Sequence, residues 1–454
     1  MRIEVDIVIA GGGKIGETLC QELSKEDINI VLLERNQDRL ERIINKTDIT
    51  GLTGDATDYD SLVEAGVQNC DLFIAVTPED ETNIISSVIS KKLGAEHTIA
   101  RVRNPKYANR EEFIRDGLGI SMVINPEMEA AKHMARLLEF PESLSTESFE
   151  NGRVNIVEVR IEKNSPLVDI SLSQFGQRYS ELLICAVTHG QETFIPSGDT
   201  VLHEGDHLYV TGEKKELNHF YREVGYINEE VNSSLIIGGG RITYYLLQRL
   251  SKLNMDIKVI EINHETALDL SHRFPGIMII RGDGTDQEFL NEERIDQFDA
   301  VLSLTGIDEE NIINSLYAIS LDVNKVITKV SRTGLLKILE DTDLQSIVTP
   351  KILITSKILR FVRSLKGTRA SNVEALYRIA DNKVEALQFL VKRDSKVIGK
   401  TFNELNIKEN VLVAYIIRGK ELIFPSGEDC IYAGDHVIIV TTYKQFDDID
   451  DILK

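Results

Sequence analysis

Two Rossmann-like parallel-sheet α/β domains, each followed by a small α+β domain, are what this sequence predicts, and three observations carry the prediction. The first is a tandem duplication. Gly11-Gly12-Gly13 returns as Gly238-Gly239-Gly240 (238 − 11 = 227), Asp55 as Asp283 (283 − 55 = 228), and Pro196-Ser197-Gly198 as Pro425-Ser426-Gly427 (425 − 196 = 229). So small a drift marks one unit repeated, and the period is far too long for a solenoid. The second is texture: apolar runs without clean alternation, separated by helical patterns, indicate a parallel sheet covered on both faces. The third is the bend Gly11-x-Gly13-x-x-Gly16, set between a strand and a helix. A chain of 454 residues suggests roughly three domains at ~150 residues each. Duplication divides it instead into four, expected at 1–140, 141–226, 227–368 and 369–454.

The elements follow in order. Residues 6–10 are a short apolar strand ending in glycines, after which Ile15, Leu19 and Leu23 share one helical face. Strands are expected at 28–33, 72–76 and 98–102, with a third strand before Gly54-Asp55 and a sixth candidate at 121–124. Helices fall between them at 37–44, 59–65, 81–93 and 106–116. After Pro126 a helix over 127–139 carries the apolar stripe Ala130, Ala131, Met134, Leu137 and Leu138. Pro141 and the polar stretch 143–148 read as a linker. Strands at 154–161, 182–187 and 207–211, with turns at Pro196-Ser197-Gly198 and Glu204-Gly205-Asp206, then make a small β-rich module. The second Rossmann-like unit covers about 234–348, a helix follows over 352–365, and the β-rich module returns at about 383–446.

Composition excludes several classes. A net charge of −22 argues against nucleic acid as a partner, because phosphate binding needs a concentrated basic surface. No apolar run approaches the ~20 residues of a membrane-spanning helix. Residues 1–6 are a charged lead into a strand, not a signal peptide. Cys20, Cys70, Cys185 and Cys430 lie far apart without metal spacing, so each is expected to be a buried small hydrophobe in a reducing cytoplasm.

The glycine bend has the chemistry of a nucleotide site. Gly11 permits the sharp turn, Gly13 lets backbone N–H groups approach a phosphate, and Gly16 lets helix and strand pack closely. The phosphate sits at the helix N-terminus, where unpaired N–H groups and the dipole favour an anion. Glu34, ending the second strand, is placed to accept ribose hydroxyls. Asp55, in Gly54-Asp55-Ala56-Thr57, stands at a strand end facing the ligand crevice, with capping of the next helix as an equal alternative. Thr77 is expected near the phosphates and Asp80 at a helix cap. Arg101 and Arg103 are expected to diverge, one reaching a terminal phosphate and the other pairing with local acids. The second copy keeps Gly238, Gly240, Glu261 and Asp283, with Lys329 at the place of Arg101, but Thr243 stands where Gly16 does. A β-branched residue there is expected to shift the helix and distort the cradle, leaving a second site that is weaker, altered or empty.

Catalytic machinery is not apparent. A dehydrogenase needs a proton-transfer residue beside the nicotinamide. Of His189, His203, His207 and His219 in the first small module, only His207 returns, as His436. No Ser-His-Asp arrangement, P-loop lysine motif or metal-ligand spacing stands out, so no catalytic and no metal-binding residue is assigned. An NAD(P)-dependent oxidoreductase with an atypical substrate domain is the competing reading.

Ile9-Ala10-Gly11-Gly12-Gly13-Lys14-Ile15-Gly16, Gly54-Asp55-Ala56-Thr57, the run from Ala75 to Asn83 and the run from Ile99 to Pro105 together resemble the bacterial TrkA family, the cytosolic regulator of Trk potassium uptake. The resemblance covers nearly the whole chain. It implies tandem RCK N-terminal (KTN) and RCK C-terminal (TrkA-C) domains, with NAD(H) or ATP/ADP as regulatory ligand. It further implies a ring, as a homotetramer, at the inner face of the plasma membrane beneath a potassium-translocating subunit of the TrkH/TrkG kind. The nucleotide contacts it implies are Gly11, Gly13, Lys14, Ile15, Gly16, Glu34, Arg35, Asp55, Ala56, Thr77 and Arg101, then Gly238, Gly240, Glu261 and Asp283. Lys14 offers its ammonium to a phosphate, within the chain or across a subunit interface.

Overall fold

A computed structural model describes the chain outside residues 1–5, 26–27, 109, 140–145, 150–153, 225–230, 340–341, 343, 345, 369–372, 381–382, 420, 445 and 447. The charged lead over 1–5 and Pro141 of the expected linker lie outside the described residues, as do residues at each expected domain boundary.

The first module runs β1 (Asp6–Ala10), α1 (Lys14–Leu23), β2 (Asn29–Glu34), α2 (Gln37–Ile44), β3 (Thr50–Thr53), α3 (Tyr59–Glu64), β4 (Leu72–Ala75), α4 (Asp80–Leu93), β5 (His97–Arg101), α5 (Pro105–Ala108), α6 (Glu111–Leu118), β6 (Met122–Ile124) and α7 (Pro126–Glu139). Its six strands are parallel in the order β3-β2-β1-β4-β5-β6. Ile7, Val8, Ile9 and Ala10 of β1 are all buried, which is why the run shows no alternation. Strand order reverses between β1 and β4, so the ligand crevice of such a sheet opens at their C-terminal ends, beside Gly11 and Thr77. The single helix expected over 106–116 is two, α5 and α6.

The small module follows as β7 (Thr146–Phe149), β8 (Val154–Arg160), α8 (Leu172–Arg178), β9 (Leu183–His189), β10 (Glu192–Phe194), β11 (His207–Gly212) and α9 (Lys214–Glu223), a five-stranded sheet ordered β10-β9-β11-β8-β7. Part of the expected linker is thus a strand: β7 pairs antiparallel with β8, Thr146 opposite Val157. It is an edge strand bonded on one side, and its short polar sequence carries no alternating signature.

The second Rossmann-like module repeats the plan with β12 (Ser233–Ile237), α10 (Arg241–Leu250), β13 (Asp256–Glu261), α11 (His264–Arg273), β14 (Met278–Arg281), α12 (Gln287–Glu292), β15 (Ala300–Ser303), α13 (Asp308–Ser320), β16 (Lys325–Lys329), α14 (Leu336–Leu339), β17 (Ser346–Val348) and α15 (Pro350–Thr368). Strand order is again 3-2-1-4-5-6 in its own numbering, β14-β13-β12-β15-β16-β17. The last sheet, β18 (Val373–Ile379), β19 (Val384–Leu390), β20 (Val411–Arg418), β21 (Glu421–Ile423) and β22 (His436–Thr441), begins ahead of the expected residue 383 with β18, the counterpart of β7.

The halves exchange their connecting helices. Ile354, Ile358, Leu359 and Val362 of α15 pack into the core of the first sheet with Ile7, Ile9 and Leu19. Reciprocally, Ala130, Met134, Leu137 and Leu138 of α7 pack with Ile236, Leu246 and Val259 of the second. A buried Leu or Met contributes about 1.5–3 kcal/mol, so α7 alone ties the halves by several kcal/mol. The small modules also share a core, where Cys185 and Tyr209 meet Ala386 and Tyr415. Cys20, Cys70 and Cys185 are buried as expected; burial pushes the Cys20 and Cys70 thiols up to about 12. Cys430 departs from that expectation and is only half-buried. No helix among the described residues is long and apolar enough to cross a membrane.

Candidate functional site

The three glycines of the first bend answer to three different demands. Gly11 has φ +101°, and its N–H donates to the Leu33 carbonyl at 2.8 Å, locking the turn between β1 and α1 against the end of β2. At Gly16 a Cβ would lie 1.9 Å from the Gly11 carbonyl oxygen, so helix α1 can lie this close only without a side chain there. Gly13 is under neither constraint. It caps α1 with φ −69° and ψ −172°, an extended conformation open to any residue, and a Cβ there would meet nothing within 4 Å. The missing side chain leaves an open space against the N-terminus of α1, where no side chain caps the helix. That space is where an anion would meet the first-turn N–H groups.

Glu34 closes one wall. Its Oε2 accepts the Gly12 N–H at 2.6 Å and its Oε1 the Asn36 N–H at 2.9 Å, with Arg39 Nη1 at 3.4 Å and only 6% of the residue exposed. The carboxylate therefore braces the bend, and a sugar hydroxyl would have to share oxygens that already accept backbone bonds. Asp55 is not a helix cap: its Oδ1 accepts the Thr57 N–H and hydroxyl at 2.8 and 2.7 Å, while Asp58 caps α3. These two Thr57 bonds, helped by the Arg35 charge, hold the Asp55 carboxyl below the usual range. Arg35 is exposed beside it. Ile15 and Ala56 turn their side chains into the cores, leaving only backbone to face the crevice.

Across the crevice, Thr77 is held by Asn83, to which the sequence assigned no role of its own. The buried Asn83 accepts the Thr77 N–H and hydroxyl through Oδ1 at 2.8 and 2.7 Å, and donates Nδ2 to the Thr77 and Arg101 carbonyls, both at 3.0 Å. Four bonds from one side chain staple the ends of β4 and β5. Asp80, expected to cap α4, instead accepts the Arg103 and Asn104 N–H groups at 2.9 and 2.7 Å. A carboxylate at the start of α4 thus pins the loop after β5. Arg103 pairs with local acids as expected, with Nε 3.9 Å from Asp80 Oδ1 and Nη1 3.9 Å from Glu127 Oε1, but Arg101 and Arg103 do not diverge. Arg101 Nη1 reaches the Thr77 carbonyl at 3.4 Å and Arg103 Nη2 the Pro78 carbonyl. Residues two apart in extended chain share a face, and both guanidiniums turn onto the same segment. Among the described residues, Arg101 Nε has no hydrogen-bond partner. Burial, with the nearby charges of Arg103 and Arg241, holds the Arg101 guanidinium down at about 10.

Much of this recurs in the second copy. Gly238 has φ +103°, Gly240 caps α10 at φ −70° and ψ −171° with open space beside it, and Glu261 accepts the Gly239 and Asn263 N–H groups at 2.6 and 2.7 Å. Asp283 accepts from Thr285, and Asn311 staples Thr305 to the Lys329 carbonyl. Thr243 does not disturb the helix start as expected, since the cap dihedrals match those of Gly13. The residue is buried and donates its hydroxyl to the Gly238 carbonyl. Lys329 is buried with its ammonium on the Thr305 carbonyl; burial, with the Lys14 charge adding to it, lowers its pKa. Lys14 also acts on Lys351 at the start of α15.

The basic residues are therefore arranged reciprocally. Lys14, opening α1, lies in the field of Lys329, and Arg241, opening α10, in that of Arg101. Tyr245 of α10 donates its hydroxyl to the Arg103 carbonyl at 2.8 Å and accepts from Asn125 at 2.9 Å, while Lys357 of α15 meets Glu129 of α7 at 2.8 Å. These cross-module residues carried no sequence signal beyond polarity.

Two Rossmann-type sheets, each with a glycine-lined crevice and a small β-rich partner, define a protein of the tandem RCK architecture. The chain belongs to the TrkA family: the TrkA-N domain matches residues 7–126 and 234–350, and the TrkA-C domain matches 156–225 and 386–454. It is 29% identical to a Trk system potassium uptake protein TrkA homolog of Archaeoglobus fulgidus, over 99% of this chain and 100% of that one. It is likewise 29% identical to the Trk system potassium uptake protein TrkA of Vibrio alginolyticus, over 97% and 96% of the two chains. Among solved structures, the GsuK RCK domain superposes with a TM-score of 0.63 at 18% identity, covering 96% of this chain and 92% of that one. The GsuK channel bound to NAD also gives 0.63 at 18%, covering 97% and 77%.

Proposed function

We propose that the chain is a nucleotide-responsive regulatory subunit of a Trk-type potassium uptake system. The observation that carries the nucleotide part is the open space at Gly13: the backbone does not need glycine there, whereas a phosphate against the α1 N-terminus does. The potassium part rests on membership of the TrkA family and on relatives named for Trk potassium uptake. GsuK, which shares the fold, is described bound to NAD. NAD(H) and the adenine nucleotides ATP and ADP are the ligands in view. In this reading the phosphates lie along Gly11–Gly16 and Thr77, with Glu34, Arg35, Asp55 and Ala56 bordering the adenosine end. Lys14 and Arg101 read the far end of the molecule, where the candidate nucleotides differ. Gly238, Gly240, Glu261 and Asp283 line a second crevice, proposed to bind more weakly because Lys329 is already committed to Thr305.

The mechanism follows from the reciprocal cations. The Lys14 charge acts on Lys329, and the Arg241 charge on Arg101, across the junction of the modules. An anion entering either crevice relieves like-charge repulsion between them, so the liganded junction closes more favourably than the empty one. A ligand shifts an equilibrium only through such differential affinity, and moving a gate from 1:99 to 99:1 takes about 5.5 kcal/mol. Several crevices in one ring of chains, as a homotetramer docked under a TrkH/TrkG-like subunit at the inner membrane face, supply that together. No chemical turnover of the nucleotide belongs to this mechanism.

The test is a thermal-shift series with ATP, ADP, NAD⁺ and NADH on the wild type and on Gly13→Val. Ligand at 100 times its Kd stabilises by about 2.7 kcal/mol, so the wild-type Tm should rise with at least one of the four. Gly13→Val should keep the unliganded Tm and lose the rise. Equal shifts in both proteins, or none in the wild type, would falsify the site.

A further inference from the structure

Outside the crevices, the fold assembles a cluster in the first small module that sequence spacing does not reveal. His189 ends β9, and the chain returns through His203 to the turn at Asp206. Nδ1 of His189 lies 2.6 Å from Asp206 Oδ1, and Nδ1 of His203 lies 3.8 Å from Asp206 Oδ2. The two imidazoles meet edge to face at 5.5 Å, and one ligand atom from each of the three residues falls within 4.8 Å of the others. Asp206 is 2% exposed, while both rings stand at the surface.

The second small module shows what that buried carboxylate requires. Asp435 occupies the place of Asp206 (435 − 206 = 229) and is also 2% exposed. In each turn the N–H three residues earlier donates to Oδ2 at 2.9 Å. Arg418, however, replaces His189 (418 − 189 = 229), and Tyr432 replaces His203 (432 − 203 = 229). Arg418 donates Nε and Nη2 to the two Asp435 oxygens at 3.0 and 2.8 Å, and its guanidinium stacks 4.4 Å from the Tyr432 ring centre. One module thus locks a permanent cation over its carboxylate, and the other presents two imidazole nitrogens at the same place. A guanidinium is a fixed cation with no lone pair to give a metal, whereas an imidazole nitrogen is a common metal ligand. A desolvated carboxylate needs a counter-charge, and two imidazoles with one carboxylate suit zinc and neighbouring first-row ions better than calcium or magnesium, which prefer all-oxygen sets.

We propose that His189, His203 and Asp206 form a binding site for a divalent transition ion of the zinc class, which takes in the first module the place that the Arg418 guanidinium fills in the second. Zinc holds its ligands at about 2.1 Å, hence roughly 3.4 Å from one another. Both rings are exposed, so the adjustment this site requires falls on their side-chain torsions. Water completes the coordination on the open side. The ion would tie the end of β9 to the turn before β11, as the Arg418–Asp435 pair ties the end of β20 to the turn before β22.

The test is zinc titration of the metal-stripped full chain by calorimetry near neutral pH, with copper(II) substitution read by electron paramagnetic resonance. One equivalent per chain is expected, with nitrogen hyperfine structure from two imidazoles. His189→Gln and His203→Gln should each weaken zinc binding roughly tenfold or more. The double variant Arg418→His/Tyr432→His should raise the stoichiometry from one to two. Absence of stoichiometric zinc binding overturns the proposal. So does affinity unchanged in His203→Gln, which would leave only a His189–Asp206 ion pair. These readouts do not depend on nucleotide or potassium transport.

Discussion

Tyr245, from the second module, donates its hydroxyl to the backbone carbonyl of Arg103 in the first at 2.8 Å, and accepts from Asn125 Nδ2 at 2.9 Å. The loop after β5, which carries Arg103, is therefore positioned partly by a residue from the other half of the chain. Tyr245→Phe removes both bonds and leaves the buried Asn125 amide short of a partner, at a cost of about 1–3 kcal/mol. Because the Arg103 loop is released, nucleotide affinity at the first crevice should fall as well. Urea midpoints and nucleotide titrations on the variant measure the two effects; a stability loss with unchanged nucleotide affinity would remove the coupling.

Gly16 and Gly13 should respond oppositely to substitution. A Cβ at Gly16 would meet the Gly11 carbonyl at 1.9 Å, and that neighbour is backbone, so the helix must move. Gly16→Ala is expected to cost about 1–3 kcal/mol through overpacking, seen as a lowered Tm without ligand. An unliganded Tm equal to wild type would show that α1 absorbs the methyl group at no cost and would contradict the overpacking.

Asn83 makes four hydrogen bonds from a fully buried side chain. Asn83→Ala leaves the Thr77 N–H and the Arg101 carbonyl without these partners, so a loss of about 2–4 kcal/mol is expected. Asn83→Asp keeps the acceptor but loses the donor, and should lie between wild type and alanine. Denaturation of the three proteins in parallel gives the ordering, and an aspartate variant as weak as alanine contradicts the staple.

Acid should loosen the junction in two stages. Burial, reinforced by the Arg136 and Lys325 charges, holds the His133 imidazole at about 3 against 6.5 for the free group. Between those values the unfolded chain takes up the proton and the folded one does not, so stability falls as pH drops from 6.5 toward 3. For Glu129, burial alone would raise the carboxyl, but Lys357 and Lys132 outweigh it and hold it at about 2 against 4.5. Its contribution is intact above 4.5 and is lost as pH falls through 2. Between about pH 7 and about pH 5 the wild type should lose about 2 kcal/mol through His133, and His133→Gln should lose less. Parallel stability profiles for the two proteins would assign the acid sensitivity elsewhere.

Much of the fold was legible because periodicity reports burial. β1 is buried on both faces and reads as a continuous apolar run, and the stripe Ala130–Leu138 shows that α7 covers something apolar. It does not say what. A helix records the character of its partner surface but not which half of a duplicated chain supplies it, so the exchange of α7 and α15 was invisible. Gly11 and Gly16 were legible because the turn and the close approach of α1 demand them, and Gly13 through the pattern they frame. Asp80, Asn83 and Tyr245 were misread or missed because most of their bonds go to backbone groups, which leave no mark on sequence. Thr243 taught the reverse: a departure from pattern that looked disruptive is absorbed by one hydroxyl on the Gly238 carbonyl.

The exchanged helices bear on how such a chain can be cut. Severing it between the halves would leave each fragment with an uncovered apolar trough and a loose amphipathic rod made for someone else's trough. Neither fragment could stay alone; each would seek the other, or a twin of itself. The polypeptide link thus fixes which of those couples forms, turning a choice of mates into a foregone pairing of unlike pockets.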